Sequence, residues 1–235
     1  MNCGLSVNMK AQQGFSLLNI MIALVVSAAS SLASISLYTN HQAATKSVKE
    51  AATLNRRVAT SMVVLQNEIT SAGYGIEDAG SDDVVVLNVP ATATTAAEIS
   101  LLWRYQDGGV VTCRGVHEYG TTEDDTDYRV LRIIETVSGC DTSSNLVDLT
   151  WDTQKGILSQ WEINDGLESY LTNNDGTLFK FQVAAASCAP FGMVRLESNS
   201  KLEATISSPN LAQINNVAGV AGNLSRICLV NTNTI

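Results

Sequence analysis

From Ala11 to Asn40 the chain carries neither a charged side chain nor a proline. Within that run Phe15–Leu37 reads FSLLNIMIALVVSAASSLASISL. As a helix this stretch rises about 35 Å, enough to cross a hydrocarbon core of about 30 Å. It is too long and too apolar for an ordinary core helix, which disfavours a purely cytosolic enzyme. A cleaved secretory signal is the competing reading, because Ser27–Ser34 (SAASSLAS) offers small residues. Its apolar region would, however, run only about 7 to 15 residues.

The residues that follow argue against removal. Gln42–Ser71 contains no proline and no glycine, and apolar residues recur at Ala51, Leu54, Val58, Met62, Leu65, Ile69 and Ala72. Spacings of three and four place these on one stripe of a helix. The two stretches read as one helix from Phe15 to about Ala72, roughly 87 Å long. A single apolar stripe needs a surface to bury it, so the domain that follows is expected to lie on the second half.

Composition narrows the chemistry. The 14 Lys+Arg against 23 Asp+Glu give a formal charge of −9, and there are 5 Cys but only 2 His. Nucleic acid is not expected as a partner, since binding it requires cations to displace phosphate counterions. Histidine-centred catalysis is poorly supplied.

The stretch Gln12-Gln13-Gly14-Phe15-Ser16-Leu17-Leu18, continued by Ile20-Met21-Ile22-Ala23-Leu24, closely resembles the class III signal of type IV pilins and type II secretion pseudopilins. The resemblance implies cleavage by a prepilin peptidase between Gly14 and Phe15, followed by N-methylation of Phe15. Gly14 allows an extended, unhindered scissile bond, and Lys10 keeps the leader in the cytoplasm. Met9–Gly14 is itself a typical short leader of the family, so either Met1 or Met9 is the start. A second stretch, Leu65-Gln66-Asn67-Glu68-Ile69-Thr70-Ser71-Ala72-Gly73-Tyr74-Gly75, resembles the helix-exit motif of the PilW group of minor pilins. Gly73 is a plausible left-handed cap there, and Tyr74 is expected to anchor the exit against the domain. Both matches together cover about a third of the chain.

The chain departs from the family at one position. The fifth residue of the mature chain is usually glutamate, thought to pair with the N-terminal amine of a neighbouring subunit, and here it is Asn19. A carboxylate within lipid is tolerated only with such a partner. Asn19 reads in three ways: a natural or engineered variant that weakens assembly, a subunit at the fibre tip with no neighbour above it, or an assembly route in which neighbours supply the contact.

Past Gly75 the texture becomes β-rich. Asp83–Asn88, Ile99–Tyr105, Gly109–Arg114, Tyr128–Glu135, Asn145–Trp151, Leu178–Ala184, Met193–Leu196, Lys201–Ile206 and Ile227–Val230 read as strands. Asp107-Gly108 signals a hairpin, and Asn164-Asp165-Gly166 and Asn174-Asp175-Gly176 signal turns. The expected organisation is a leader over 1–14, a long helix over 15–75 (15–38 transmembrane, 39–75 exported and amphipathic) and a β-rich domain over 76–235. The fold class is α+β, with the helix packed on an antiparallel domain as in pilins. Cys113, Cys140, Cys188 and Cys228 are even in number and lie beyond the membrane segment, which favours disulfides. Three full pairings exist. Sequential pairing, Cys113–Cys140 with Cys188–Cys228, is preferred because it closes loops around neighbouring strands. A Cys₄ zinc site is the rival, but no C-x₂₋₄-C pair is present.

No catalytic arrangement emerges. The run Glu123-Asp124-Asp125-Thr126-Asp127 lacks the spacing and central glycine of a calcium loop and reads as a solvated turn. His41 falls at the membrane interface, and His117 reads as an ordinary surface or turn histidine. Lys46, Lys49, Arg56 and Arg57 form a basic stretch suited to headgroups or acidic neighbours. Trp103, Trp151 and Trp161 read as core or edge aromatics.

The resemblance implies a minor pilin that primes pilus assembly or builds the tip complex, held in the inner membrane until it enters the fibre. It would be no enzyme and would need no metal or cofactor. Its partners would be other minor pilins, the major pilin, the processing peptidase and, for an adhesive tip, a host or surface receptor. The alternatives are a type II secretion pseudopilin of the GspJ kind and a membrane-anchored periplasmic binding module.

Overall fold

The structure is a computed structural model that describes residues 17–92, 95–152, 156–188, 201–214 and 221–233. The chain forms two units, Met1–Glu50 and Ala51–Ile235. Helix α1, Leu17–Ile69, contributes to both. In the first unit its large apolar side chains are exposed, Leu17 by 76% and Leu37 by 75%. Its hydroxyls are satisfied inside the helix: Ser31 Oγ donates to the Ser27 carbonyl at 2.9 Å and Ser34 Oγ to the Ser30 carbonyl at 2.8 Å. Such back-bonding lets serine sit in apolar surroundings without an unpaired donor.

The second unit is mixed α+β and antiparallel. Strands β1 (Val84–Val89), β2 (Glu98–Asp107), β3 (Val110–Glu123), β4 (Thr126–Thr136) and β5 (Trp151–Asp152) follow one another across the first sheet, and β6 (Ile157–Glu162) also pairs with β4. The second sheet is β7 (Lys180–Ala186), β8 (Lys201–Ser208) and β9 (Asn223–Leu229). Helix α2 (Asp165–Asn173) precedes β7, and the short α3 (Leu211–Ile214) follows β8. The expected strand Met193–Leu196 lies outside the described residues.

Two-residue turns set the registers. Asp107 faces Val110 across Gly108 and Gly109, whose φ angles are +56° and +84°. Glu123 faces Thr126 across Asp124 and Asp125, at +48° and +60°. Two successive positive φ values match the right-handed twist of the strands they join. The acidic run is thus the tip of a hairpin.

Two sequence expectations need correction. Asn145–Trp151 is not a strand: Leu146–Asp148 forms a 3₁₀ turn capped by the Asn145 side chain, which accepts from the Val147 N–H, and only Trp151–Asp152 pairs. Burial of Leu146 beside Cys113, Leu102 and Ile134 takes precedence over its β propensity. Asn164-Asp165-Gly166 is not a turn between strands: Asn164 caps α2, its side chain accepting from the Leu167 N–H at 3.0 Å. The same residue chemistry serves turns and helix N-caps, and here Leu167 and Leu171 supply the buried face that decides for helix. The turn expected at Asn174-Asp175-Gly176 does follow α2, with φ of +62° and +76° at its last two residues.

The larger of two core clusters in the second unit joins the helix to both sheets. Val58, Met62, Leu65, Ile69 and Ala72 of the helical stripe share it with Leu101 and Trp103 of β2, Val116 of β3, Leu131 of β4 and Phe181, Leu202, Ile206 and Leu229 of the second sheet. Replacing Leu65 with Ala should lower unfolding free energy by about 2–5 kcal/mol. Val63→Ala, on the same helix but 57% exposed, should change it by less than about 0.5 kcal/mol. Urea unfolding of the two variants checks the assignment of the buried face.

Candidate assembly helix and its exit

Residues Leu17–Lys46 form a helical segment long and apolar enough to cross a membrane, with a mean hydropathy of 2.1 over its best window and none of that window buried within the chain. Asn19 lies exposed on this segment. Gly14 and Phe15 lie outside the described residues. A polar band follows the apolar stretch: Gln42 Nε2 donates to Tyr38 Oη at 2.7 Å, and Thr45 Oγ1 lies 3.3 Å from His41 Nδ1.

At the other end of α1 the chain leaves the helix through the Ala72–Gly75 motif. Ala72 is fully buried. Gly73 takes φ +73° and donates its N–H to the Arg104 carbonyl at 2.8 Å. Tyr74 accepts from the Gln106 N–H at 2.7 Å. The exit thus docks by main chain on β2. The Tyr74 ring does not anchor it: that side chain is 54% exposed. The sequence expectation is corrected here, because the anchoring groups are the Gly73 N–H and the Tyr74 carbonyl.

Both glycines are required by their surroundings. A Cβ on Gly75, at φ +71°, would lie 2.2 Å from the Gln106 carbonyl oxygen, and one on Gly73 would lie 2.9 Å from the Asn231 carbonyl. Glu68, one turn before the exit, receives Arg114 Nη1 from β3 at 2.7 Å. Asn231 Nδ2 donates to the Thr70 carbonyl at 3.2 Å, tying the C-terminal segment to the same point.

The cysteines pair in sequence order, Cys113 with Cys140 and Cys188 with Cys228, closing separations of 27 and 40 residues. Chain entropy makes each closure worth about 3–4 kcal/mol. The loop carrying Cys140 is held a second time by Arg104, which donates to the Asp141 carbonyl at 3.1 Å and the Ser144 carbonyl at 2.6 Å while pairing with buried Asp83. The Ser143 hydroxyl and backbone N–H hold the Asp141 carboxyl below its ordinary value.

A second buried pair was not legible from the sequence. Glu118 Oε1 accepts from Arg129 Nη2 at 2.6 Å, and both side chains are essentially inaccessible. The same carboxylate accepts the Leu178 N–H at 2.8 Å and the Phe179 N–H at 2.7 Å, while Arg129 Nη1 donates to the Ala97 carbonyl at 2.8 Å. The pair therefore ties the β3–β4 hairpin to the segment leading into β7. Glu118 follows Arg114 and Val116 at alternate positions on the face of β3 that carries the core, so a charge there was the available signal.

His117 is not an ordinary surface residue, contrary to the sequence reading. Its ring stacks on Tyr119 with centroids 5.2 Å apart, and Nδ1 lies 2.8 Å from Ser100 Oγ. The Arg132 guanidinium lies 4.7 Å from the Tyr119 centroid. Burial, then the charges of Arg132 and Arg129, lower the His117 pKa to about 4. Glu98 at 3.7 Å from Nε2 does not offset them, so the imidazole is neutral at pH 7. Trp103 and Trp161 are buried and Trp151 half-buried. Among the described residues no three His, Cys, Asp or Glu side chains gather to hold a metal ion.

Comparison of the chain with known protein families, with curated proteins and with solved structures finds no match.

Gly75→Ala should cost more than about 2 kcal/mol, from backbone strain and steric overlap together. Gly109→Ala, at φ +84° with open space around the missing Cβ, should cost only the strain, about 1–2 kcal/mol. Thermal unfolding of both variants separates the two contributions. A folded-state His117 pKa below the unfolded value means that the unfolded chain binds more protons between pH 6.5 and 4. Stability should therefore fall as pH drops through that window. His117→Gln should shrink that fall, as read from melting temperature against pH for the two proteins.

Proposed function

We propose that the chain is a minor type IV pilin of the PilW kind, which primes pilus assembly and forms part of the tip complex. The observation that carries this reading is the signal-like Gln12–Leu18 stretch followed directly by an uncharged helical surface that buries nothing within its own chain. In this reading the peptidase cuts after Gly14 and methylates Phe15, and the helix waits in the inner membrane with the bulk of the chain in the periplasm. It then exchanges lipid for the helices of neighbouring subunits in the fibre core.

The chain makes and breaks no bond in this scheme; its action is packing. Two disulfides suit an oxidising compartment. The glycine exit, bonded to β2 through the Gly73 N–H and the Tyr74 carbonyl, would pass load from helix to domain together with the buried helical stripe. Asn19 presents an amide where the family places a carboxylate. An amide avoids the cost of an unpaired charge in lipid, which suits a subunit with no amine above it to neutralise.

The test is recovery in fibres. Cells carrying a tagged copy should yield the chain in sheared, purified pili, in amounts far below the major pilin. Gly14→Trp should leave it uncut and confined to the membrane. Recovery with the pseudopilins of a secretion system would assign it to the GspJ kind instead. Export unaffected by Gly14→Trp would leave a membrane-anchored periplasmic module.

A further inference from the structure

The residues after β9 hold points that lie far apart in the chain. Asn231 Nδ2 donates to the Thr70 carbonyl, just past the end of α1, at 3.2 Å. The Asn233 N–H donates to the Ala79 carbonyl, ahead of β1, at 2.7 Å. Lys201 Nζ, at the start of β8, donates to Asn233 Oδ1 at 2.9 Å. Between them Thr232 is 0% exposed. Its methyl carbon would lie 2.8 Å from a Cβ placed on Gly73, and the Asn231 carbonyl oxygen 2.9 Å from it. The space that glycine leaves at the helix exit is therefore filled by this segment.

The segment is firmly anchored behind and lightly held in front. Cys228 is bonded to Cys188 and Leu229 is fully buried, so β9 stays in its sheet when the residues beyond Val230 let go. Thr232 turns back on that anchor, its N–H and its hydroxyl both donating to the Leu229 carbonyl, at 3.1 and 2.9 Å. Asn231 is half-buried and Asn233 is exposed, so the bonds they make lie within reach of water. Segments held by such bonds open locally at lower cost than core strands.

We infer that Asn231–Asn233 form a clasp over the helix exit, a unit that opens and closes without unfolding the sheets. Closed, it fills the space beside Gly73 and occupies the Thr70 and Ala79 carbonyls. Open, it uncovers a left-handed glycine, the residue type with the widest backbone freedom. The clasp thereby sets how rigidly the exit is held on β2. The inference concerns the second unit alone and stands whether or not the chain is a pilin.

The test is native-state hydrogen exchange on the full chain in mild detergent, read amide by amide. In the unaltered chain the Asn233 amide should be at least about tenfold less protected than the Leu101 and Val116 amides of the first sheet. Its exchange should also depend little on urea, because local opening exposes little surface. Thr232→Gly should speed exchange at Gly73 at least about tenfold and change Leu101 and Val116 by less than about twofold. Thr232→Val, which keeps a methyl beside Gly73, should leave the Gly73 amide within about threefold of the unaltered chain. An Asn233 amide that exchanges only with the core, a Gly73 amide indifferent to Thr232→Gly, or protection lost equally across the sheet overturns the inference. The Asn233 measurement is made on the unaltered chain, so it stands even if a variant fails to fold.

Discussion

The strongest physical constraint on this chain is the apolar surface of Leu17–Lys46, whose most apolar window buries nothing within the chain. Eleven large aliphatic side chains on it, from Leu17 to Leu37, are exposed by 47% or more. Burying them is worth roughly 20 kcal/mol at about 1.5–3 kcal/mol each. That exceeds the 5–15 kcal/mol by which a whole domain is ordinarily stable. The segment therefore calls for an apolar environment outside its own chain, as a membrane anchor or a signal sequence would have.

Past Glu50 the same helix changes character because its sequence acquires a single apolar stripe. Val58, Met62, Leu65, Ile69 and Ala72 enter the domain core while Val63 and the arginines stay outside. Main-chain bonds then hold the exit on β2, and the buried Glu118–Arg129 and Asp83–Arg104 pairs lock loops onto the sheet. Such pairs add little net stability compared with an apolar core, but leaving one charge unpartnered costs several kcal/mol. They therefore specify which segments meet: Glu118 the approach to β7, Arg104 the Cys140 loop.

Much of this was legible in the sequence because it follows from period and turn chemistry. The helical stripe came from spacing, seven of the nine strands among the described residues from β-branched and aromatic runs, and the hairpin at Gly108 from turn chemistry. Strand β6 and helix α2 did not, since Ile157–Glu162 is short and half polar, and Asn164 signals turn and N-cap alike. Asn145–Trp151 misled because Val147, Thr150 and Trp151 suggested a strand, whereas Leu146 packs beside Leu102, Cys113 and Ile134 and the segment turns there. At the exit, the need for Gly73 and Gly75 was visible, but the roles of the Tyr74 ring and backbone were not, since main-chain docking leaves no residue signature. The burial of His117 was hidden because it depends on Ser100 and Arg132 from two other strands.

The central claim is that the N-terminal helix is kept, exposed by cleavage after Gly14, and used for assembly. Intact mass and N-terminal sequencing of the chain recovered from membranes, with and without reduction, tests it most directly. The account predicts a chain beginning at N-methylated Phe15 that gains about four hydrogens on reduction, two for each disulfide bond. A chain beginning after Ser34, or one still carrying Met1 with free thiols, would contradict it.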